Sequence, residues 1–197
     1  MVIIGICGKS GSGKSTLARK IIEMYPNSIH VEIDKVGHKA LMDENVKKEL
    51  VKSFGEKLLN DNVVDRKQLG DIVFNSRHEM NKLTDITWEY MQKEIDKIID
   101  DNKNNIVILD WLLLPKTKYF DMCDYKVLLD VDYETRKQRC MLRDNISEDK
   151  FDLREKNSVG YYNDFDYVIH DVDELDIEGM VLNNDKSIVS RKLLSFY

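Results

Sequence analysis

The segment Gly8-Lys9-Ser10-Gly11-Ser12-Gly13-Lys14-Ser15 constrains this chain more tightly than any other feature of its sequence. It satisfies the Walker A pattern, Gly-x-x-x-x-Gly-Lys-Ser, and its setting is the one that pattern requires. An apolar run over residues 2–7 reads as a buried strand leading into it, and a helical stretch over 15–25, stopped by Pro26, leaves it. Glycines at 8, 11 and 13 let the backbone curl until successive N–H groups face one point. The following helix adds its positive dipole end. Such a turn receives a polyanion, with Lys14 bridging the β- and γ-phosphates and the Ser15 hydroxyl on Mg²⁺. ATP and Mg²⁺ are the expected ligands. Gly8, Gly11, Ser12, Gly13, Lys14, Ser15 and Thr16 are the candidate nucleotide-binding residues.

The rest of the chain alternates short apolar runs with longer amphipathic stretches, the pattern of a parallel sheet covered by helices. Further strands are predicted over 29–33, 106–110, 126–131 and, more weakly, 166–169. The expected class is α/β: a P-loop nucleoside triphosphate hydrolase fold with a five-stranded parallel sheet. A long polar helical insertion, residues 36–105, separates the second and third strands. Within it Trp88, Met91, Ile95 and Ile98 recur at helical spacing, as do Leu69, Ile72 and Val73, which reads as core. Two helices, 133–143 and 147–159, are joined by a polar turn with Ser147 as N-cap, and residues 139–158 are the expected lid. The last twenty residues carry no clear pattern.

A chain of 197 residues fits one domain. Its formal net charge of -6 argues against a nucleic-acid partner. No apolar stretch approaches a membrane span, and the N-terminus lacks the basic leader of a signal peptide. Cys7, Cys123 and Cys140 form neither a metal-like pair nor a disulfide framework. Small-molecule substrates and a cytoplasmic location follow as expectations.

Two carboxylates stand at predicted strand ends, where ligands gather above a parallel sheet. Asp34 either accepts the proton of an attacking hydroxyl or N-caps the next helix. Asp110 either supports Mg²⁺ in the Walker B role or is an ordinary polar strand end. Arg136, Arg139 and Arg143 lie at i, i+3 and i+7, on one face of a predicted helix. Such a stripe is usually solvated, but late in a P-loop fold it suits a closing lid that neutralises transition-state charge. Arg154 is a further candidate. A GTPase switch is set aside, because Asn-Lys-x-Asp is absent and Asp110 is not followed by x-x-Gly.

Read in order, these segments resemble the dephospho-CoA kinase family. Glu32-Ile33-Asp34-Lys35-Val36-Gly37-His38 is similar to its Asp-Ala-Asp-Lys-(Ile/Val)-x-His signature. Val64-Asp65-Arg66-Lys67-Gln68-Leu69-Gly70-Asp71-Ile72-Val73-Phe74 resembles its Asp-Arg-x-x-Leu-Gly-x-Ile-Val-Phe stretch. The run Ile108 to Leu114 resembles Leu-Asp-Ile-Pro-Leu-Leu, and Asp166-Tyr167-Val168-Ile169 its late strand. The resemblance implies phosphorylation of the ribose 3′-hydroxyl of dephospho-CoA by ATP. It puts Asp34 in the catalytic-base position, Arg139, Arg143 and Arg154 among lid arginines, and His38 in the acceptor signature. Arg66 and Arg77 are candidates for the acceptor phosphates. The departures are Trp88-Glu89 for His-Pro, Trp111 and Leu112 after Asp110, Glu32 for Asp, Ser158 for Gln, and Lys9-Ser10, which make the loop equally like that of uridine kinase. Two alternatives therefore stand beside the lead reading: a nucleoside or nucleoside-monophosphate kinase, and a non-catalytic ATP-binding module.

Overall fold

The apolar run at the N-terminus forms β1 (Val2–Gly8), buried at six consecutive positions after Val2. A strand buried on both faces reads as an unbroken apolar run, because parallel neighbours and covering helices leave neither face to water. In the computed structural model, which describes residues 1–74, 76–156 and 164–182, β1 is the middle of a five-stranded parallel sheet. The order is β2 (Ser28–Glu32), β5 (Ile106–Asp110), β1, β6 (Tyr125–Leu129), β7 (Tyr167–Ile169). β1 pairs with β5 in a register that sets Ile6 opposite Asp110, and with β6 in one that sets Gly8 opposite Leu129. The strand expected over 29–33 ends one residue earlier. Ile33, fully buried, opens the next helix instead.

The described chain divides into two compact units, with the boundary falling inside β2, after His30. The first contains β1, the phosphate loop and α1 (Lys14–Met24), then residues 106–136 and 164–182. Leu17, Ala18 and Ile21 form the buried stripe of α1 and pack in one core with Ile4, Ile6, Val127 and Leu129. Each of the Leu, Ile and Val side chains contributes roughly 1.5–3 kcal/mol by leaving water. α6 (Lys118–Met122) returns the chain to β6, and α9 (Ile177–Leu182) follows β7. Lys20 of α1 pairs with Asp173 near the end of this unit.

The second unit comprises residues 31–105 and the chain from Lys137 to 160. Its spine is α5 (Arg77–Asp101), capped by the Ser76 hydroxyl, which accepts the Glu79 N–H at 3.3 Å. α2 (Ile33–Ala40), α3 (Glu44–Phe54) and α4 (Arg66–Val73) all pack against it. The buried stripe of α5 is Thr87, Met91, Ile95 and Ile99, so Trp88 and Ile98 flank the seam rather than fill it. On α4 Leu69 and Val73 are buried, whereas Ile72 is exposed, outside the stripe expected of it. β3 (Leu59–Asn60) and β4 (Val63–Val64) form a hairpin whose two-residue turn, Asp61-Asn62, takes positive φ at both positions. Asp and Asn tolerate that conformation better than other side chains, which suits a type I′ turn. α7 (Tyr133–Asp144) and α8 (Glu148–Lys156) are the two late helices, and the Ser147 hydroxyl accepts the Lys150 N–H at 3.4 Å. Asn145, at φ 49°, turns the chain between them. Ser158 and the end of the expected lid lie outside the described residues.

One glycine of β1 is dictated by packing. A Cβ at Gly5 would sit 2.7 Å from Cys123 Sγ and 2.9 Å from Leu114 Cδ2. Overfilling a closed core costs about 1–3 kcal/mol. Gly5→Ala should therefore lower the urea midpoint at unchanged m-value, and adding Cys123→Ala should recover part of the loss. A Gly5→Ala midpoint equal to wild type would show that this face has room to spare.

Candidate active site

The loop between β1 and α1 is a cradle by geometry as well as by sequence. Gly11 (φ 81°) and Gly13 (φ 99°) occupy the left-handed region that side chains avoid, and Gly13 is the N-cap of α1. The helix begins at Lys14, one residue before the expected start. The Ser12 N–H folds back on the Lys9 carbonyl at 3.1 Å, and the Leu17 N–H makes the first full helical bond, to Gly13, at 3.0 Å. A Cβ on Gly8 would lie 2.5 Å from Ser12 Oγ and 2.9 Å from the Leu129 carbonyl, so no larger residue fits there. The Ser12 hydroxyl is 1% exposed and has no hydrogen-bond partner among the described residues. A turn so shaped, with a buried polar atom inside it and a helix N-terminus behind it, fits an oxygen-rich anion.

The β1–β5 register carries Asp110 to the same end of the sheet. Its carboxylate is buried, with Oδ1 3.9 Å from Lys14 Nζ and Oδ2 3.1 Å from His30 Nε2. A buried carboxylate is tolerated only when paired and hydrogen-bonded, and here both oxygens have a partner. Ser15, exposed at the head of α1, and Asp110 offer hard oxygen donors of the kind that hold Mg²⁺. Among the described residues no group of three or more His, Cys, Asp or Glu side chains could hold a metal unaided. Mg²⁺ on a nucleotide needs none, since phosphates and water complete its shell. The donor set fits the ion. His30 is absent from the sequence-derived set. Its only signal was a polar residue inside the alternating run Ile29-His30-Val31, too weak to separate a functional imidazole from a half-exposed strand position.

In the other unit, Asp34 lies in the first turn of α2, where Glu32 is the N-cap, so the capping role is not its own. His38 stands one helical turn further on. The Arg66 Nη2 lies 3.1 Å from each of its ring nitrogens, so residues from two separate motifs meet. Asp65 makes this possible. As N-cap of α4 its Oδ1 accepts the Lys67 and Gln68 N–H groups at 2.9 and 3.1 Å, which puts Arg66 at the first helical position. Partial burial and then the Arg66 guanidinium push His38 below its ordinary 6.5, against the pull of Asp34, although much of the side chain faces solvent. Gly37 lies on α2 beside α5, where an added Cβ would meet Met91 Sδ at 3.4 Å, an ordinary contact, so packing does not demand glycine there. Arg77 is exposed at the start of α5 and has no partner among the described residues.

The expected arginine stripe on α7 splits. Arg136 is 4% exposed, and its Nε donates to the Val131 carbonyl at 2.9 Å, a structural role rather than a solvated face. Arg139 and Arg143 are exposed. Arg143 grips Asp144 through Nε to Oδ1 at 2.7 Å and Nη2 to Oδ2 at 3.0 Å, and Arg154 of α8 joins the same carboxylate at 3.1 Å. These bonds, Arg143 first, hold Asp144 below the usual carboxylate range. A salt bridge between Lys137 and Glu148, 2.7 Å long, ties α7 to α8. Two of the three arginines expected in a lid thus share one internal anion, a pairing that sequence spacing did not signal.

Trp111 is 6% exposed, so its side chain is core, and its backbone N–H just past β5 donates to the Ile6 carbonyl at 3.1 Å. The three cysteines are free and buried, and burial pushes the Cys123 thiol up to about 12. Among the described residues no helix is long and apolar enough to cross a membrane.

The model of one protein family, described as dephospho-CoA kinase, matches residues 2–163. A dephospho-CoA kinase of Borreliella burgdorferi is 34% identical over 70% of this chain and 66% of its own length, just under two thirds. One of Aquifex aeolicus is 33% identical over 79% of this chain and 80% of its own. The crystal structure of TT1252 from Thermus thermophilus superposes with a TM-score of 0.73 at 22% identity, covering 96% of this chain and 97% of that one, a likeness of fold.

The lowered His38 fixes the sign of one pH effect. The unfolded chain takes up a proton near 6.5, while folded His38 takes it up only at lower pH. Between those values the unfolded state binds more protons, so stability falls as pH drops below 6.5 and levels off below the folded pKa. His38→Gln, which keeps an acceptor for Arg66, should flatten that part of the curve. Urea midpoints between about pH 5 and 7.5 measure it, and equal slopes in both proteins would rule the effect out.

Proposed function

The chain belongs to the dephospho-CoA kinase family, and from that premise we propose that it transfers the γ-phosphoryl group of ATP to the 3′-hydroxyl of dephospho-CoA, giving CoA and ADP. One observation carries the reading: His38 of the Asp34 signature and Arg66 of the Asp-Arg stretch, distant in sequence, meet in a hydrogen bond. Neither motif belongs to P-loop proteins in general. Trp111, the bulky departure beside Asp110, is buried.

In this reading the loop amides from Gly8 to Ser15 and the head of α1 hold the triphosphate, with Thr16 in the next position. Lys14 neutralises the β,γ-bridge, where the P–O bond breaks. Mg²⁺, held through Ser15 and Asp110, supplies further charge neutralisation on the phosphate oxygens. Asp34 accepts the proton as the hydroxyl oxygen forms the new P–O bond, and the displaced electron pair leaves on ADP. Arg66, with His38 neutral beside it, is a charged donor for acceptor phosphate, and Arg77 a second one. Arg139, Arg143 and Arg154 stabilise the transferring group, Arg143 and Arg154 once they exchange Asp144 for phosphate. Residues 36–105 serve acceptor recognition and 139–158 the lid. The cytoplasm is the implied compartment, in keeping with three unpaired cysteines.

A coupled ADP-release assay over dephospho-CoA, uridine and nucleoside monophosphates tests the substrate. Turnover confined to dephospho-CoA is expected. Turnover confined to a nucleoside or nucleotide would overturn the reading, and none with any acceptor would favour a non-catalytic ATP-binding module. For the mechanism, Asp34→Asn should lower kcat by about 10²–10⁴-fold while leaving ATP affinity unchanged. Near-normal turnover in that variant removes Asp34 from the base role.

A further inference from the structure

We infer that His30 is a positioning residue for the metal-supporting carboxylate: its Nε2 holds Asp110 Oδ2 so that Oδ1 alone faces Lys14 and the metal. The inference rests on the reading of Asp110 given above. His30 lies on β2, the edge strand that flanks β5, and Asp110 is the last residue of β5, so sheet order brings them together across eighty positions of sequence. The distances are 3.1 Å from Nε2 to Oδ2 and 3.9 Å from Oδ1 to Lys14 Nζ. An ionised carboxylate only accepts hydrogen bonds, so Nε2 carries the hydrogen of this contact.

The need for such a partner follows from the torsion. The terminal rotation of Asp is broad, so a carboxylate at a strand end does not by itself fix the plane in which it presents its oxygens. Lys14 does not choose for it, because an ammonium is a point charge without a preferred plane. A fixed N–H donor on a strand does. The side chains of His30 and Asp110 are 16% and 6% exposed, so little water competes for the bond. Outer-shell partners of this kind are worth about 10–100-fold in metal affinity or activity. An aliphatic residue at position 30 would leave Asp110 paired with Lys14 alone and free to turn.

The test is calorimetric. ATP affinity is measured with excess Mg²⁺ and again with EDTA, and the ratio reports the gain from metal. His30→Leu should cut that ratio about tenfold while metal-free ATP affinity stays at wild type. His30→Gln, whose Nε2 can donate from a similar reach, should restore it. In steady state the Mg²⁺ concentration for half-maximal rate should rise in His30→Leu, with a smaller loss in kcat at saturating Mg²⁺. If His30→Leu keeps the wild-type ratio while Asp110→Asn loses it, the inference on His30 fails and the reading of Asp110 stands. If Asp110→Asn keeps the ratio, the reading of Asp110 fails and this inference with it. A His30→Leu that loses metal-free ATP affinity as well, without rescue by Gln, assigns His30 to folding and overturns the positioning role.

Discussion

The parallel register of β1 and β5 is the constraint on which the nucleotide site depends. It sets Ile6 opposite Asp110, so one strand runs into the phosphate loop while its neighbour ends in a carboxylate at the same edge of the sheet. Both strands are apolar along their length, because helices cover both faces and a slip of one residue would drive Asp110 into the core. The buried charge is tolerable because Lys14 and His30 take its two oxygens. Sheet energetics and site electrostatics are thus one problem: the apolar packing that secures the register also keeps the carboxylate dry.

The helical unit solves a different problem, which is to present polar side chains from an otherwise apolar packing. α5 supplies a seam every fourth residue from Thr87 to Ile99, and α2, α3 and α4 lie on it. α2 packs on α5 and Asp65 caps α4, and His38 and Arg66 arrive within hydrogen-bond distance. A cap of this kind satisfies otherwise orphaned N–H groups and so fixes where a helix starts. Arg66 stands at the first helical position for that reason.

The late helices add a charge pairing of their own. Arg143 and Arg154 converge on Asp144, a carboxylate of similar charge to the phosphate oxygens that such arginines bind. An internal anion keeps two guanidinium groups ordered, and it competes with whatever anion they receive. Arg136, about two turns earlier on α7, is buried against a backbone carbonyl, so a stripe of identical residue types carries two different jobs.

Much of this was legible in the residues. The loop, the strand before it and the helix after it follow from local rules, as do the five strands, because glycine freedom and strand burial leave a direct imprint on sequence. Asp34 and Asp110 stood out as candidates at predicted strand ends, and Arg66 only through the family resemblance. What composition and spacing could not carry were contacts between distant segments: His30 against Asp110, Arg154 against Asp144, and the burial of Trp111 and Arg136. The boundary at Ile33, which places Asp34 in a first helical turn rather than at a strand end, also belongs to packing, since a fully buried side chain is satisfied in either conformation. Local backbone chemistry is written residue by residue, and so the sequence by itself determined the phosphate cradle and the α/β class. Which side chains face each other across the sheet or between helices depends on strand order and helix approach, and only the tertiary structure decided those.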